Sequence, residues 1–132
     1  MVAALASGRA RWLAETVPTL RAEGVWLIGS LGTGRNDEWS DVDIIVVGGE
    51  CVLDETLLTL EIPGNGPVDG GYVGAMYDVG PLALWVDWYW WPSGAPLPRE
   101  SRLLAGVGTP GTLDLSETLE VVRAIAGPGP WS

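Results

Sequence analysis

The sequence predicts an α/β (α+β) fold, a small mixed β-sheet with helices packed on one face, built as a single domain over residues 1–132. Three observations predict it. Apolar runs of strand length stand at Val25–Ile28, Val42–Val47 and Leu82–Trp91; apolar residues recur at helical intervals near both ends of the chain; and glycine and proline clusters separate these segments. Alternation of helical and strand signals in one short chain points to a layered sheet-and-helix architecture.

Taken in order, Leu5, Trp12, Leu13, Val17 and Leu20 fall at roughly helical spacing, which predicts an N-terminal helix over about 3–22, and Gly24 follows as a stop. A core over 24–105 opens with the strand Val25–Ile28, which ends at Gly29-Ser30. A short helix from Ser30 to about Arg35 is expected next, weakened by Gly32 and Gly34, and Asn36–Ser40 is a polar connection. Val42–Val47 is the second strand. The leucines at 53, 57, 58 and 60 suggest a helix from Cys51 to Leu60, closed by Pro63–Pro67. Asp69–Val79 carries Tyr72, Val73, Met76 and Tyr77 among glycines and reads either as a loop or as a further short strand. Leu82–Trp91 is the clearest strand, Pro92–Pro98 is a loop, and Arg102–Leu104 adds a last strand. Leu115, Leu119, Val122 and Ile125 share one face of a C-terminal helix over about 113–126, with Asp114 or Ser116 as its start signal.

Composition narrows the chemistry. The chain has no histidine and one cysteine, Cys51. Hydrolase triads that rely on imidazole and most zinc sites are thereby excluded. A lone cysteine forms no internal disulfide, which suits a reducing cytoplasm, and cytoplasmic localisation is expected. No secretory signal or transmembrane span is apparent, so no membrane partner is expected. Only seven basic residues, all arginine, stand against 17 acidic ones, for a net charge of −10. An extended nucleic-acid surface needs clustered cations and is therefore disfavoured, whereas a cationic small molecule is attracted by the acidic field. Keeping an apolar chain soluble is an equally good reading of the same charge.

Carboxylate–metal chemistry remains, and the sequence concentrates it. Asp41 and Asp43 are separated by one apolar residue and lead into Ile44–Val47. On a strand, that spacing puts both carboxylates on one face, about 6–7 Å apart. The arrangement suits one hard divalent ion, or a pair of ions about 3.5–4 Å apart, magnesium or manganese in preference to softer metals. Upstream, the glycines let the backbone approach a phosphate closely, and the Ser30 hydroxyl can donate to it. Asp87 lies inside an otherwise apolar strand, where an ionised carboxylate needs a partner or a metal. The alternative for Asp87 is a structural pair with an arginine. Trp85 and Tyr89 share its strand face and are placed to stack on a base or acceptor ring, or to serve as core; Trp88 and Trp90 point to the opposite layer.

The ordered set of strand, Gly29-Ser30, glycine-containing turn, Ser40-Asp41-Val42-Asp43, second apolar strand and a later acidic strand residue, Asp87, resembles the nucleotidyltransferase superfamily that includes DNA polymerase beta and the antibiotic (aminoglycoside-type) nucleotidyltransferases. The resemblance implies the same sheet-and-helix fold. It implies that Asp41, Asp43 and Asp87 bind Mg2+ or Mn2+ as the catalytic carboxylates, with Asp87 assisting the attacking hydroxyl. Gly29, Ser30, Arg35 and Ser40 then hold a nucleoside triphosphate, ATP by family analogy, with Arg99 and Arg102 as further candidates for neutralising phosphate.

The activity implied is transfer of a nucleoside monophosphate, AMP in the first instance, from the triphosphate to a hydroxyl of a small molecule with release of pyrophosphate. The chain also resembles minimal nucleotidyltransferases that act as antitoxins by adenylylating or binding a protein partner, and a non-catalytic nucleotide-binding accessory module is the remaining alternative. Little chain follows Asp87 compared with the helical bundle that completes the acceptor site in the larger antibiotic-modifying relatives. A homodimer or a partner-completed site is therefore expected.

Overall fold

The computed structural model describes residues 10–28, 42–49, 58–60, 71–78 and 83–126. Helix α1 covers residues 10–16 and tightens into a 3-10 turn at Val17–Thr19. Pro18 sits in that turn and Leu20 is already extended. The helix therefore ends short of the expected residue 22, because proline supplies no N–H for an i→i−4 bond and its ring crowds the preceding turn.

Six strands follow: β1 (Gly24–Ile28), β2 (Val42–Val47), β3 (Leu58–Leu60), β4 (Tyr72–Asp78), β5 (Ala83–Trp91) and β6 (Ser101–Gly106). Helix α2 (Leu115–Ala126) comes last among the described elements. The strands form one sheet in the order β3-β4-β5-β2-β1-β6. β2 and β5 run parallel, and every other neighbouring pair is antiparallel. The expected mixed sheet is thus present.

One strand differs from the sequence reading, and one segment read two ways takes the strand form. Leu58–Leu60, expected to end a helix, pairs instead with Gly74–Met76 of β4. Leu-Thr-Leu satisfies strand alternation as well as helical spacing, and a vacant sheet edge decides between them. Residues 51–57 of that expected helix lie outside the described residues, as does the short helix expected from Ser30 to Arg35. The segment left open between loop and strand contains β4, with seven residues fully paired to β5.

A further difference concerns the layers. Val25, Leu27, Val42, Ile44, Val46, Val86, Trp88 and Trp90 form one buried cluster, against which Trp12 and Leu13 of α1 pack. The Trp12 ring lies 4.8 Å from that of Tyr77 and 5.8 Å from that of Trp88. Trp26, Ile28, Ile45, Val47, Tyr89 and Trp91 form the other cluster, covered by Leu115, Leu119 and Val122 of α2. Helices therefore cover both faces, not one. Strands apolar at both parities, such as Ile44-Ile45-Val46-Val47, cannot leave either face to water.

Helix α2 begins where Asp114 caps it: Asp114 Oδ1 accepts the Glu117 backbone N–H at 2.8 Å. Its carbonyl accepts the Thr118 N–H at 2.9 Å. Among the described residues no helix is long and apolar enough to cross a membrane.

Candidate functional site

The site is built where polar side chains interrupt apolar strands. Within β2, Asp43 is the one charged residue of Val-Asp-Ile-Ile-Val-Val, and it is half-buried. The β1–β2 ladder pairs it with Ile28, the residue before Gly29. On its other side, the parallel β2–β5 ladder pairs it with Asp87. Neighbouring strands run about 4.8 Å apart and partners in register share a face, so the two carboxyl groups project side by side. Val42, the residue after Asp41, pairs with Val86 and is fully buried on the opposite face.

Asp87 is half-buried and accepts two hydrogen bonds on one oxygen. The Tyr72 hydroxyl donates to Oδ1 at 2.5 Å and the Trp85 indole N–H donates to the same atom at 3.0 Å. Both are neutral donors. Among the described residues they, and not an arginine, answer the need for partners that the sequence raised.

Trp85 reaches Asp87 across β4. In register, Gly74 faces Asp87 while Met76 faces Trp85. A Cβ at Gly74 would run into the six-membered ring of Trp85 and come within 2.9 Å of the Tyr72 hydroxyl. The missing side chain thus creates the space in which the indole lies. Tyr89, also on this face, is nearly buried, with its ring 5.2 Å from that of Tyr72. Burial first, then the charges of Asp43 and Asp87, and then Tyr72 push its phenol well above the ordinary tyrosine range, so Tyr89 stays protonated.

Of the site residues expected from sequence, Asp43 and Asp87 are brought together. Gly29, Ser30, Arg35, Ser40 and Asp41 lie outside the described residues. Trp85 and Tyr89 do share the face of Asp87, and Trp88 and Trp90 belong to the opposite cluster. Arg102 is not at the carboxylates: it pairs with Leu27, a residue of the opposite face, and lines a hollow of about 370 Å³ with Leu13, Val17 and Leu104. Arg99 is exposed, and its backbone N–H is tied to the Leu113 carbonyl. Tyr72 and Gly74 were not singled out by the sequence. Once the Tyr72–Asp78 segment is read as a strand, its alternation puts both on one face, but its glycines obscured that reading.

Residues 10–65 match the family model of the nucleotidyltransferase domain. The matched stretch takes in α1, β1, β2 and β3 together with Gly29, Ser30, Asp41 and Asp43, in agreement with the resemblance read from the sequence. Asp87 lies beyond it, and the register of β5 on β2 brings it beside the matched stretch. No curated protein matches the chain. The family match supports nucleotidyl transfer as the class of chemistry, and nucleotidyltransferase domains generally use a nucleoside triphosphate and a divalent metal. The residues present fit such an ion: two carboxylates stand in register on one face, and hard oxygen donors suit magnesium or manganese. Among the described residues no group of three or more potential ligands occurs, and Asp41, the expected third carboxylate, lies outside them.

Proposed function

We propose that the chain is a metal-dependent nucleotidyltransferase that moves a nucleoside monophosphate, AMP in the first instance, from a nucleoside triphosphate to a hydroxyl of a small molecule and releases pyrophosphate. The observation that carries this reading is the register of Asp43 with Asp87 across parallel strands, next to a stretch that matches the nucleotidyltransferase domain.

In this reading Asp41, Asp43 and Asp87 hold magnesium or manganese. The bound ions supply charge stabilisation for the phosphates and a lowered pKa for a coordinated hydroxyl. Gly29 and Ser30 cradle the departing phosphates, with Ser40 and Arg35 beside them. Asp87 orients the acceptor hydroxyl for in-line attack on the α-phosphorus and takes up its proton, which passes on to water: the new bond forms to the acceptor oxygen, the bond to the bridging oxygen breaks, and pyrophosphate leaves with that electron pair. Positioning and charge complementarity account for the catalysis. The net charge of −10 favours a cationic acceptor, and a second copy of the chain, or a partner, completes the acceptor side of the cleft.

Calorimetric titration of the full chain with nonhydrolysable nucleoside triphosphates, with and without magnesium, tests the reading. Magnesium-dependent binding of a triphosphate is expected. Absence of binding by every triphosphate in the presence of magnesium overturns it.

A further inference from the structure

We propose that Tyr72 and Trp85 are positioning residues that lock the Asp87 carboxylate through Oδ1 and present Oδ2 alone to a divalent cation, with Gly74 providing the space that this lock needs. The inference rests on the metal-binding reading of Asp87 given above.

Two donors converge on one oxygen. Tyr72 lies opposite Tyr89, and Trp85 lies opposite Met76, so the side chains approach Asp87 from the two directions along the β4–β5 ladder. Their hydrogen bonds, at 2.5 and 3.0 Å, both end on Oδ1. Among the described residues no hydrogen bond falls on Oδ2. A carboxylate pinned in this way has lost its freedom to turn about its terminal torsion, and one oxygen is left as the ligand.

The lock also answers an electrostatic problem. Asp87 is the register partner of Asp43, and like charges directly opposite one another repel. An unrestrained Asp87 relieves that repulsion by rotating away, which disperses the ligand pair. The two hydrogen bonds to Oδ1 hold the side chain in place against it. The Trp85 indole can do this only because Gly74, opposite Asp87, carries no Cβ: a methyl group there would occupy the position of the ring. A glycine, a tyrosine and a tryptophan from two strands thus meet around one carboxylate.

One consequence separates this role from general support of the fold. A carboxylate restricted to one oxygen suits small octahedral ions, whereas calcium readily accepts bidentate carboxylates and irregular shells. The lock therefore favours manganese and magnesium over calcium, and releasing it reduces that preference.

The test is titration of the full-length chain with Mn2+, followed by the electron paramagnetic resonance of the free ion, and competition with Ca2+, for the wild type and for Tyr72→Phe, Trp85→Phe, Gly74→Ala and Asp87→Asn. Tyr72→Phe removes a single oxygen, and circular dichroism establishes that each variant is folded. Tyr72→Phe and Trp85→Phe are expected to weaken Mn2+ binding by about 10–100-fold, as loss of groups that orient a metal ligand does, and to narrow the preference for Mn2+ over Ca2+. Gly74→Ala, which keeps both donors but displaces the indole, is expected to reproduce Trp85→Phe. If Tyr72→Phe and Trp85→Phe bind Mn2+ as the wild type does while Asp87→Asn does not, the lock is overturned and the metal site stands. Parallel losses of Mn2+ and Ca2+ affinity with an unchanged ratio also overturn it. Unchanged Mn2+ binding by Asp87→Asn overturns the metal reading itself, and the lock with it.

Discussion

Asp43 and Asp87 are register partners across the one parallel ladder among the described strands, so two like charges share one face of the sheet within a strand spacing of each other. An arrangement of this kind works against folding, because like charges directly opposite cost about 0.2–1 kcal/mol. It is maintained where something of opposite charge is to be held between them. Stability without metal and affinity for metal are therefore opposed at this pair.

Asp43→Asn should reveal that opposition. Without metal, the variant is expected to melt at or slightly above the wild-type temperature, with a gain of up to about 1 kcal/mol from relief of the repulsion. In the wild type, magnesium and a nonhydrolysable triphosphate at about a hundred times their dissociation constant should stabilise the chain by about 2.7 kcal/mol. In Asp43→Asn that increment should fall to near zero. Thermal melts with and without the ligands check both halves, and a retained increment would place the metal elsewhere.

Much of this pair was legible in the sequence, for reasons that particular residues make clear. A carboxylate in Val-Asp-Ile-Ile-Val-Val or Leu-Trp-Val-Asp-Trp-Tyr-Trp-Trp stands out because an ionised group inside an apolar strand needs a partner or a metal. Long apolar runs also fixed β2 and β5 as strands, and strand parity put Trp85 and Tyr89 on the face of Asp87. What parity could not supply was the neighbour. β4 is the strand just before β5 in sequence and pairs with it antiparallel, but it follows Gly71 and carries Gly74, which local rules read as breakers. The donors on Asp87 and the space left by Gly74 therefore became visible only with the register. The same limit explains Leu58–Leu60, where a three-residue pattern compatible with two periods was decided by a sheet edge. Helices on both faces, where one was expected, answer the continuous apolar runs of β1 and β2.

Gly106 closes β6 opposite Gly24 with φ +87°. A side chain there meets two obstacles: the left-handed backbone costs about 1–2 kcal/mol, and its Cβ would run into the Glu23 carbonyl oxygen, which already accepts the Val107 N–H. Gly94 has a similar φ of +81° but nothing within 4 Å of an added Cβ. Gly94→Ala is thus expected to cost about 1–2 kcal/mol, and Gly106→Ala clearly more. Urea denaturation of the two variants separates backbone strain from collision.

Asp114 fixes the start of α2 by accepting the Glu117 N–H, and α2 in turn covers the face that carries Asp43 and Asp87 through Leu115, Leu119 and Val122. Asp114→Ala should cost about 1 kcal/mol, the usual value of an N-cap side chain. Because the cap lies outside the carboxylate pair, Mn2+ affinity at 25 °C should be unchanged. Chemical denaturation measures the first quantity and metal titration the second.

Tyr89 makes stability fall at alkaline pH. Burial, assisted by Asp43 and Asp87, raises its folded-state pKa above the unfolded value of about 10. The neutral phenol is therefore favoured in the native chain, and the resulting stability is fully present below pH 10. Above that, the unfolded chain loses the Tyr89 proton while the native chain keeps it, so the unfolded state binds fewer protons and stability declines with rising pH, by about 1.4 kcal/mol per unit for one proton. Tyr89→Phe removes this group from the balance, and its stability should fall less steeply between pH 10 and 11.5 than that of the metal-free wild type. Asp43→Asn removes only a lesser cause and leaves burial in place, so it should keep a slope close to that of the wild type. Equilibrium denaturation at stepped pH reads all three, and equal slopes in the wild type and Tyr89→Phe would mean that the phenol titrates alike in the folded and unfolded chains.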